Sequence, residues 1–351
     1  MLSTLASNAI LSKARAMYGK RLTEKEYKDL LHCKTVGEIA AYLKQRTAYG
    51  PILTGVNEKE VHRGQLEALL HKKLFYDFAA LCRYEITVGE HFADYLLARS
   101  EIDQILHSLM LLMGGRSSDY LFSMPLFLDA HTHINLTALS QTKSYDDFLS
   151  ALSGTPYQSL LSPFRPKPGK PLDMAAIENA LSGFLYNRVF ETVRKHSRGK
   201  AREELLYLFQ TYIDFSNYAR IIRMKKYYSM ESDVIRSLLL PHGSLTPRQL
   251  DAMLSAKTVA EVKAAMRATS PGKRMRKLEY REIDEVPLRV RLINSKHLIR
   301  FSVHPPVVML AYIFLAENEL YNITNIIEGI RYQLPEEEIV DMLIYSKKGK
   351  G

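Results

Sequence analysis

The pattern most suggestive of chemistry is Asp129-Ala-His131-Thr-His133, which matches the D-x-H-x-H arrangement of metal-dependent amidohydrolases. In such enzymes the two histidines lie at the end of a barrel strand and hold zinc. The same enzymes need further histidines and an aspartate at the ends of later strands, on an alternating β/α framework. No run of alternating apolar and polar residues predicts such strands here, so polar loop residues are the favoured interpretation and a zinc site is the alternative.

The sequence has no motif typical of nucleotide-phosphate binding, and its cysteines do not have a spacing typical of a chemical site. No G-x-x-x-x-G-K-[ST] sequence is present, and the glycines at Gly114-Gly115 and Gly349 do not fit a dinucleotide-binding loop. The two cysteines, Cys33 and Cys82, are not in a CxxC or Cys/His ligand spacing and are expected to be reduced core thiols. The sequence therefore predicts no catalytic residue, no cofactor, no small-molecule substrate and no metal site.

A carboxylate and an amide recur three residues apart at three places, which puts both on one face of a helix. The separations between the three places are 113 and 105 residues. The pairs are Glu101 with Gln104, Asp214 with Asn217, and Glu319 with Asn322. They could be ion ligands, but three copies favour a structural hydrogen bond that was repeated by duplication.

The elements that carry these pairs belong to a repeated sequence. Residues 22–43 and 245–266 align without a gap at a constant offset of 223, and eight of the 22 positions are identical. In the first copy, Thr23 with Glu26 and Thr35 with Glu38 form T-x-x-E capping boxes, which are typical of helix starts. Each copy is thus predicted to be two short capped helices.

Two weaker copies set the period. Residues 143–148 resemble residues 34–39, and residues 334–343 match residues 22–31 at an offset of 312. With a period of roughly 110 residues, we predict an all-α protein of three pseudo-repeated helical domains, at residues 1–115, 116–225 and 226–351, that share helices at their boundaries. Proline-rich residues 163–171 and the segment Ser270-Pro-Gly-Lys273 are predicted to be loops.

Composition and charge narrow the class of protein. Hydrophobic residues make up 46% and charged residues 25%, which excludes a wholly disordered or collagen-like chain. The longest uncharged apolar run, residues 307–316, has about half of the length that a membrane span needs. No secretory signal pattern opens the sequence, so a cytoplasmic protein is expected.

The net charge of +10 favours acidic partners. The basic stretch at residues 273–300 could be a solvated surface or could contact an acidic protein, anionic lipid headgroups or a phosphate backbone. The stretch has no interleaved exposed aromatic residues and no recognition-helix motif, which disfavours nucleic acid. A basic helical nucleic-acid-binding or scaffolding protein is therefore the alternative function.

The repeated helices, the opening Ala14-Arg-Ala-Met17 with Leu22-Thr-Glu-Lys-Glu-Tyr27, and above all residues 304–331 resemble one family. This family is the C subunit of prokaryotic A/V-type ATPases, which is equivalent to the membrane-sector d subunit of vacuolar ATPases. The resemblance spans nearly the whole chain. It departs from the family's pattern at Gln104, where an Asn is more usual, and in the eroded middle repeat.

The resemblance implies a funnel of three helical domains around a central opening. It implies a non-catalytic rotor subunit on the cytoplasmic side of the membrane, bound peripherally between the central stalk and the rotor ring and transmitting torque for proton or sodium transport. The candidate contacts with the stalk or ring follow Asn217 on a basic helix and are Arg220, Arg223, Lys225 and Lys226. The sequence does not select the coupling ion or the direction of the reaction.

Overall fold

The computed structural model describes residues 2–83, 89–167 and 171–345. Within these residues all regular structure is helical and no β-strand occurs, so the predicted all-α class is confirmed. None of the helices in the described part of the chain is long and apolar enough to cross a membrane.

The chain forms two compact units. The first contains Met1–Leu172 and Ile299–Ile344, and the second contains Asp173–Leu298 and Tyr345–Gly351. The predicted division into three repeat domains at residues 115 and 225, and their arrangement as a funnel, stay predictions.

The helices follow one another with short connections. Up to residue 172 they are α1 (Leu2–Gly19), α2 (Glu24–Leu31), α3 (Val36–Arg46), α4 (Arg63–Cys82), α5 (Gly89–Met113), α6 (Tyr120–Ser123), α7 (Leu126–Asp129), α8 (Leu136–Ser140), α9 (Tyr145–Ala151) and α10 (Pro156–Leu161). From residue 173 to 301 they are α11 (Met174–His196), α12 (Gly199–Tyr228), α13 (Ser232–Ser237), α14 (Pro247–Ser255), α15 (Val259–Ala268), α16 (Ser270–Arg274) and α17 (Glu285–Phe301). The last two are α18 (Pro305–Arg331) and α19 (Glu336–Met342), and short 3₁₀ turns lie at Gly50–Leu53, Ser117–Asp119 and Ser162–Phe164.

Helix α18 is the centre of the first unit. Its residues 306–315 are all buried, because α18 packs against α1, α2, α3, α4 and α19. A helix that is apolar on every side is stable only when other helices surround it. The apolar run at residues 307–316 is thus an internal core helix.

Helix α12 has the corresponding place in the second unit, where it packs against α11, α13, α14 and α15. Its apolar face, with Tyr218, Ile221 and Ile222, meets Met253 of α14 and Val262 of α15 in one core. Both units therefore place a pair of short helices against one long helix.

The predicted capping boxes form at the first helix of each pair. Thr23 and Thr246 accept hydrogen bonds from the backbone N–H groups of Glu26 and Gln249, and the side chains of these two residues accept in return from the cap residues. At the second helix the box differs, because the Glu38 carboxylate accepts from the N–H of Lys34 at 2.8 Å, one residue before the Thr35 cap. In the later copy the Glu261 carboxylate likewise accepts from the N–H of Lys257, one residue before the Thr258 cap.

One predicted loop is a helix. Residues 270–274 form α16, for which Thr269 is the N-cap and accepts from the N–H of Gly272 at 3.1 Å. Pro271 is tolerated because the first turn of a helix does not need its N–H. Proline within the first turn predicts a helix start as well as it predicts a loop.

Candidate functional site

The three carboxylates singled out from the sequence lie on the long helices α5, α12 and α18. Glu101 and Asp214 are 2% and 1% exposed, and Glu319 is partly buried. Buried carboxylates need several hydrogen-bond donors, so the partners of each define what it does.

Asp214 holds the chain just before α14. Its Oδ1 accepts from the N–H groups of Ser244 at 2.9 Å and Leu245 at 3.2 Å, and its Oδ2 contacts the Ser244 hydroxyl. Burial raises the pKa of Asp214 above its ordinary value, and the hydrogen bonds from Ser244 and Leu245 oppose this shift. A Cβ at Gly243 would overlap the Asp214 Oδ1, so glycine is required there for the close approach.

Glu319 holds the chain just before α2, close to the other end of the sequence. Its Oε2 accepts from the N–H of Leu22 at 2.7 Å, and its Oε1 accepts from the Tyr49 hydroxyl at 2.8 Å. Burial raises the pKa of Glu319, and both donors oppose the shift. This contact fastens the last long helix to the first repeat.

Glu101 does the same before α8. Its Oε1 accepts from the N–H of His133 at 2.6 Å and from the Thr132 hydroxyl at 3.0 Å, and its Oε2 accepts from the Tyr157 hydroxyl at 2.7 Å. The three carboxylates thus bind the backbone one or two residues before an N-cap, at Thr23, Asn135 and Thr246.

The middle helix α8 was missed from the sequence. Its cap, Asn135, accepts from the N–H of Ala138 at 2.8 Å, so it has no acidic partner three residues on. It also precedes the Ser144 cap of α9 by nine residues, whereas Thr23 precedes Thr35 by twelve. The N-cap asparagine was the one signal that could have found this helix.

The amides of the pairs bind other segments. The Asn217 side chain donates to the Leu240 carbonyl at 2.9 Å and accepts from the Leu240 N–H at 2.7 Å. Asn322 makes the same two bonds with Ile344, at 3.0 and 2.8 Å. Gln104 departs from this pattern, because it accepts from the Tyr120 hydroxyl at 2.9 Å.

The raised pKa of Asp214 gives a testable pH dependence. The protonated acid can donate from Oδ2 to the Ser244 hydroxyl while Oδ1 still accepts both N–H groups, and an asparagine can do the same. Because the folded state binds this proton more tightly, the stabilisation is complete below the unfolded pKa of about 3.9 and is lost as pH rises through the raised folded value. We predict that Asp214→Asn matches the wild type near that lower limit and gains on it as pH rises.

Urea denaturation of both proteins across this pH range measures the difference in free energy of unfolding. Asn217→Ala, one turn along α12, is the control, because an amide does not titrate and its cost should not vary with pH. If Asp214→Asn is as damaging as Asp214→Ala at every pH, the ionised carboxylate is required and the prediction is wrong.

Two of the four candidate interface cations bind groups inside the second unit. The Arg220 side chain is 15% exposed, and it donates to Asn179 Oδ1 at 2.7 Å and to the Leu238 carbonyl. Lys225 donates to the carbonyls of Leu254 at 2.6 Å and Ala256 at 2.9 Å, at the end of α14. Burial lowers the pKa of Arg220, and Glu178 opposes the shift.

The other two cations are at the surface. Arg223 is 44% exposed and its Nη1 lies 3.4 Å from Asp284 Oδ1. Lys226 is exposed and donates to the Tyr227 hydroxyl at 2.8 Å, which raises the pKa of the lysine. Contact of all four cations with a stalk or ring stays a prediction. Of the four, Arg223 and Lys226 are the ones whose charged groups are accessible to a partner.

The two histidines of the D-x-H-x-H sequence contact different groups. The His133 Nδ1 lies 3.1 Å from Glu101, and the His131 ring lies 5.4 Å from that of Phe75. Among the described residues no group of three or more histidine, cysteine or acidic side chains could hold a metal ion.

These features define a class: a helical scaffold in which short helix pairs are fastened to long helices by buried carboxylates. The family described as ATP synthase (C/AC39) subunit has a model that matches residues 10–342, and the chain belongs to this family. Similar proteins include the C subunit of the A-type ATP synthase of Pyrococcus horikoshii, which is 24% identical over 95% of this chain and 88% of its own length. Those of Methanosarcina acetivorans and Methanosarcina mazei are 24% and 25% identical, each over 95% of this chain and 91% of the relative.

Proposed function

We propose that this chain is a non-catalytic rotor subunit of an A/V-type ATPase. It would be a socket that joins the central stalk to the membrane-embedded rotor ring and transmits torque for ATP-coupled transport of protons or sodium ions. The observation that carries the proposal is the family match over residues 10–342, with relatives named as the C subunit of A-type ATP synthases.

The anchoring of the helix pairs supports a mechanical role. A part that transmits torque needs a stiff frame, and Glu101, Asp214 and Glu319 each fix the start of a short helix to a long one. Loss of such a buried acceptor leaves its donors unpaired, which is costly. Torque would then pass through many modest contacts on this frame.

The surface has exposed apolar side chains that could contact other chains. Five apolar residues on the segment from the end of α5 to α7 are between 51% and 87% exposed: Met110, Met113, Leu121, Phe122 and Leu126. Exposed apolar clusters are unfavourable in water and mark interaction sites. In the proposed role the chain sits peripherally on the cytoplasmic side of the membrane, with anionic lipid headgroups as further candidate partners.

The proposal is tested by purifying the tagged chain from its native, detergent-solubilised membranes and identifying what comes with it by mass spectrometry. Head, stalk and ring subunits should co-purify with ATP hydrolysis activity. Recovery of none of them, with nucleic acid in their place, would instead support the basic nucleic-acid-binding alternative.

Torque transmission has its own test. Membranes from cells that lack this chain should lose ATP-driven ion pumping, while the released heads still hydrolyse ATP. Pumping that continues without the chain would contradict the socket role.

The exposed cations give a prediction at residue level. Charge reversal by Arg223→Glu with Lys226→Glu should lower co-purification of the other ATPase subunits about tenfold, because like charges then face each other across the interface. Arg198→Glu, at the N-cap of the same helix, is the matched control and should leave recovery unchanged. Equal recovery from all three proteins would remove this end of α12 from the interface.

A further inference from the structure

A pocket lined by three arginines lies between α1 and the end of α17. It has a volume of about 380 Å³ and is lined by Arg15, Tyr18, Arg21, Ile299 and Arg300. None of these five residues is acidic, so the pocket concentrates three positive charges.

Each of the three arginines has guanidinium N–H groups without an acceptor among the described residues, and these groups could donate to a ligand. Arg15 Nε donates to the carbonyl of Ile299 at 2.8 Å, and its Nη2 donates to the carbonyl of Ser302 at 2.7 Å. These bonds supply donors to carbonyls at the end of α17 and leave the Nη1 group of Arg15 available to a ligand. Arg21 donates from Nη1 to the Tyr18 carbonyl, and its guanidinium lies 4.3 Å above the Tyr18 ring. The Arg300 guanidinium makes no hydrogen bond to any residue that the structure describes, so its N–H groups are available, whereas the Arg300 backbone carbonyl accepts from Arg15 Nη2 at 3.5 Å.

The Tyr18 hydroxyl provides an independent observation. It is shielded from solvent yet has no hydrogen-bond partner among the described residues. Burial raises the pKa of Tyr18, while Arg21 and Arg300 oppose the shift, so both guanidinium groups act on the hydroxyl. A buried hydroxyl without a partner costs free energy that a bound acceptor would recover.

Among the residues that the structure describes, no carboxylate forms an ion pair with Arg15, Arg21 or Arg300. Glu319 also acts on Tyr18, but both of its oxygens already accept hydrogen bonds, from Leu22 and Tyr49. The positive charge of the three arginines is therefore available to an anionic ligand.

We propose that this pocket binds a phosphate group. A phosphate dianion offers oxygens in several directions, which suits three guanidinium groups and a phenol arranged around a pocket better than the two oxygens of a carboxylate do. At neutral pH a phosphate monoester has a charge between about −1.5 and −2, against three positive charges here. The phosphate can be free in solution or can belong to a phospholipid headgroup, where it is a singly charged diester.

Titration calorimetry of the full chain with inorganic phosphate, at constant ionic strength, tests the site. Three variants separate its parts: Arg300→Gln removes an exposed cation, Tyr18→Phe removes only the unpaired hydroxyl, and Lys20→Gln removes a neighbouring charge outside the pocket. We expect one phosphate per chain, with an affinity about tenfold lower in Arg300→Gln, about threefold lower in Tyr18→Phe and unchanged in Lys20→Gln. Without ligand, Tyr18→Phe should melt at the wild-type temperature or above it, since it loses no hydrogen bond.

Flotation with phosphatidylcholine vesicles, with and without phosphatidylglycerol, identifies the source. Binding to the anionic vesicles that Arg300→Gln and Tyr18→Phe weaken, but Lys20→Gln does not, assigns the pocket to a lipid headgroup even if free phosphate does not bind. Phosphate binding with no such vesicle dependence assigns it to a soluble phosphate. If neither ligand distinguishes Arg300→Gln and Tyr18→Phe from Lys20→Gln, or neither binds, the proposal is overturned.

Discussion

Replacement of Asp214 by alanine should lower the free energy of unfolding by about 3–4 kcal/mol at neutral pH. The carboxylate is 1% exposed and accepts from two backbone N–H groups and one hydroxyl. Alanine leaves these donors of Ser244 and Leu245 buried without an acceptor and opens a cavity beside them. No other side chain among their described contacts takes the place of the carboxylate.

Urea denaturation followed by circular dichroism measures this cost, and hydrogen exchange locates it. The N–H groups of Ser244 and Leu245 should exchange faster in the variant than in the wild type. Asp251→Ala is the matched control, because Asp251 is 54% exposed and its ion pair with Arg236 should contribute less than about 1 kcal/mol. A cost of Asp214→Ala that is no larger than that of Asp251→Ala would contradict the anchoring role.

The sequence predicted the positions of the anchors but not their partners. The recurrence of a carboxylate and an amide three residues apart identifies Asp214 and Asn217, because helix periodicity puts such residues on one face. Their partners, Ser244 and Leu240, lie more than 20 residues away on segments without a pattern of their own. Glu319 and Leu22 are 297 residues apart, a distance over which only the tertiary fold decides contact.

The repeat made the helix pairs predictable where capping signals were intact. Thr23 and Thr246 cap α2 and α14 as their T-x-x-E and T-x-x-Q sequences indicate. In the middle copy the spacing is shorter and Asn135 lacks an acidic partner, so α8 was not predicted. Local signals thus identify helices only where each cap keeps its own sequence signature.

Cations on one helix could not be separated into buried and exposed ones from sequence. Arg220 and Arg223 are three residues apart, yet one is 15% and the other 44% exposed. The difference comes from Asn179 on α11 and from the carbonyl of Leu238, just after α13, which both accept hydrogen bonds from the Arg220 guanidinium. Long basic side chains reach whatever acceptors the neighbouring helices present, so their role depends on packing.

Loss of the Glu319 carboxylate should be nearly as costly. Glu319→Ala leaves the N–H of Leu22 and the hydroxyl of Tyr49 without an acceptor, and we expect the free energy of unfolding to fall by about 3 kcal/mol. Because this contact joins α18 to the chain before α2, hydrogen exchange should rise first in α2 and at Leu22. Glu338→Ala, at an exposed position of α19, is the control and should change the free energy of unfolding by less than about 0.5 kcal/mol.

A double-mutant cycle with Tyr49→Phe distinguishes a specific anchor from general loss of packing. In the wild type, Tyr49→Phe removes one donor to Glu319 and should cost about 1 kcal/mol. In the Glu319→Ala background the Tyr49 hydroxyl is buried and unpaired, so the same change should cost nothing or should stabilise the protein. An equal cost in both backgrounds would mean that Tyr49 and Glu319 act independently and that their hydrogen bond does not fasten α18 to the first repeat.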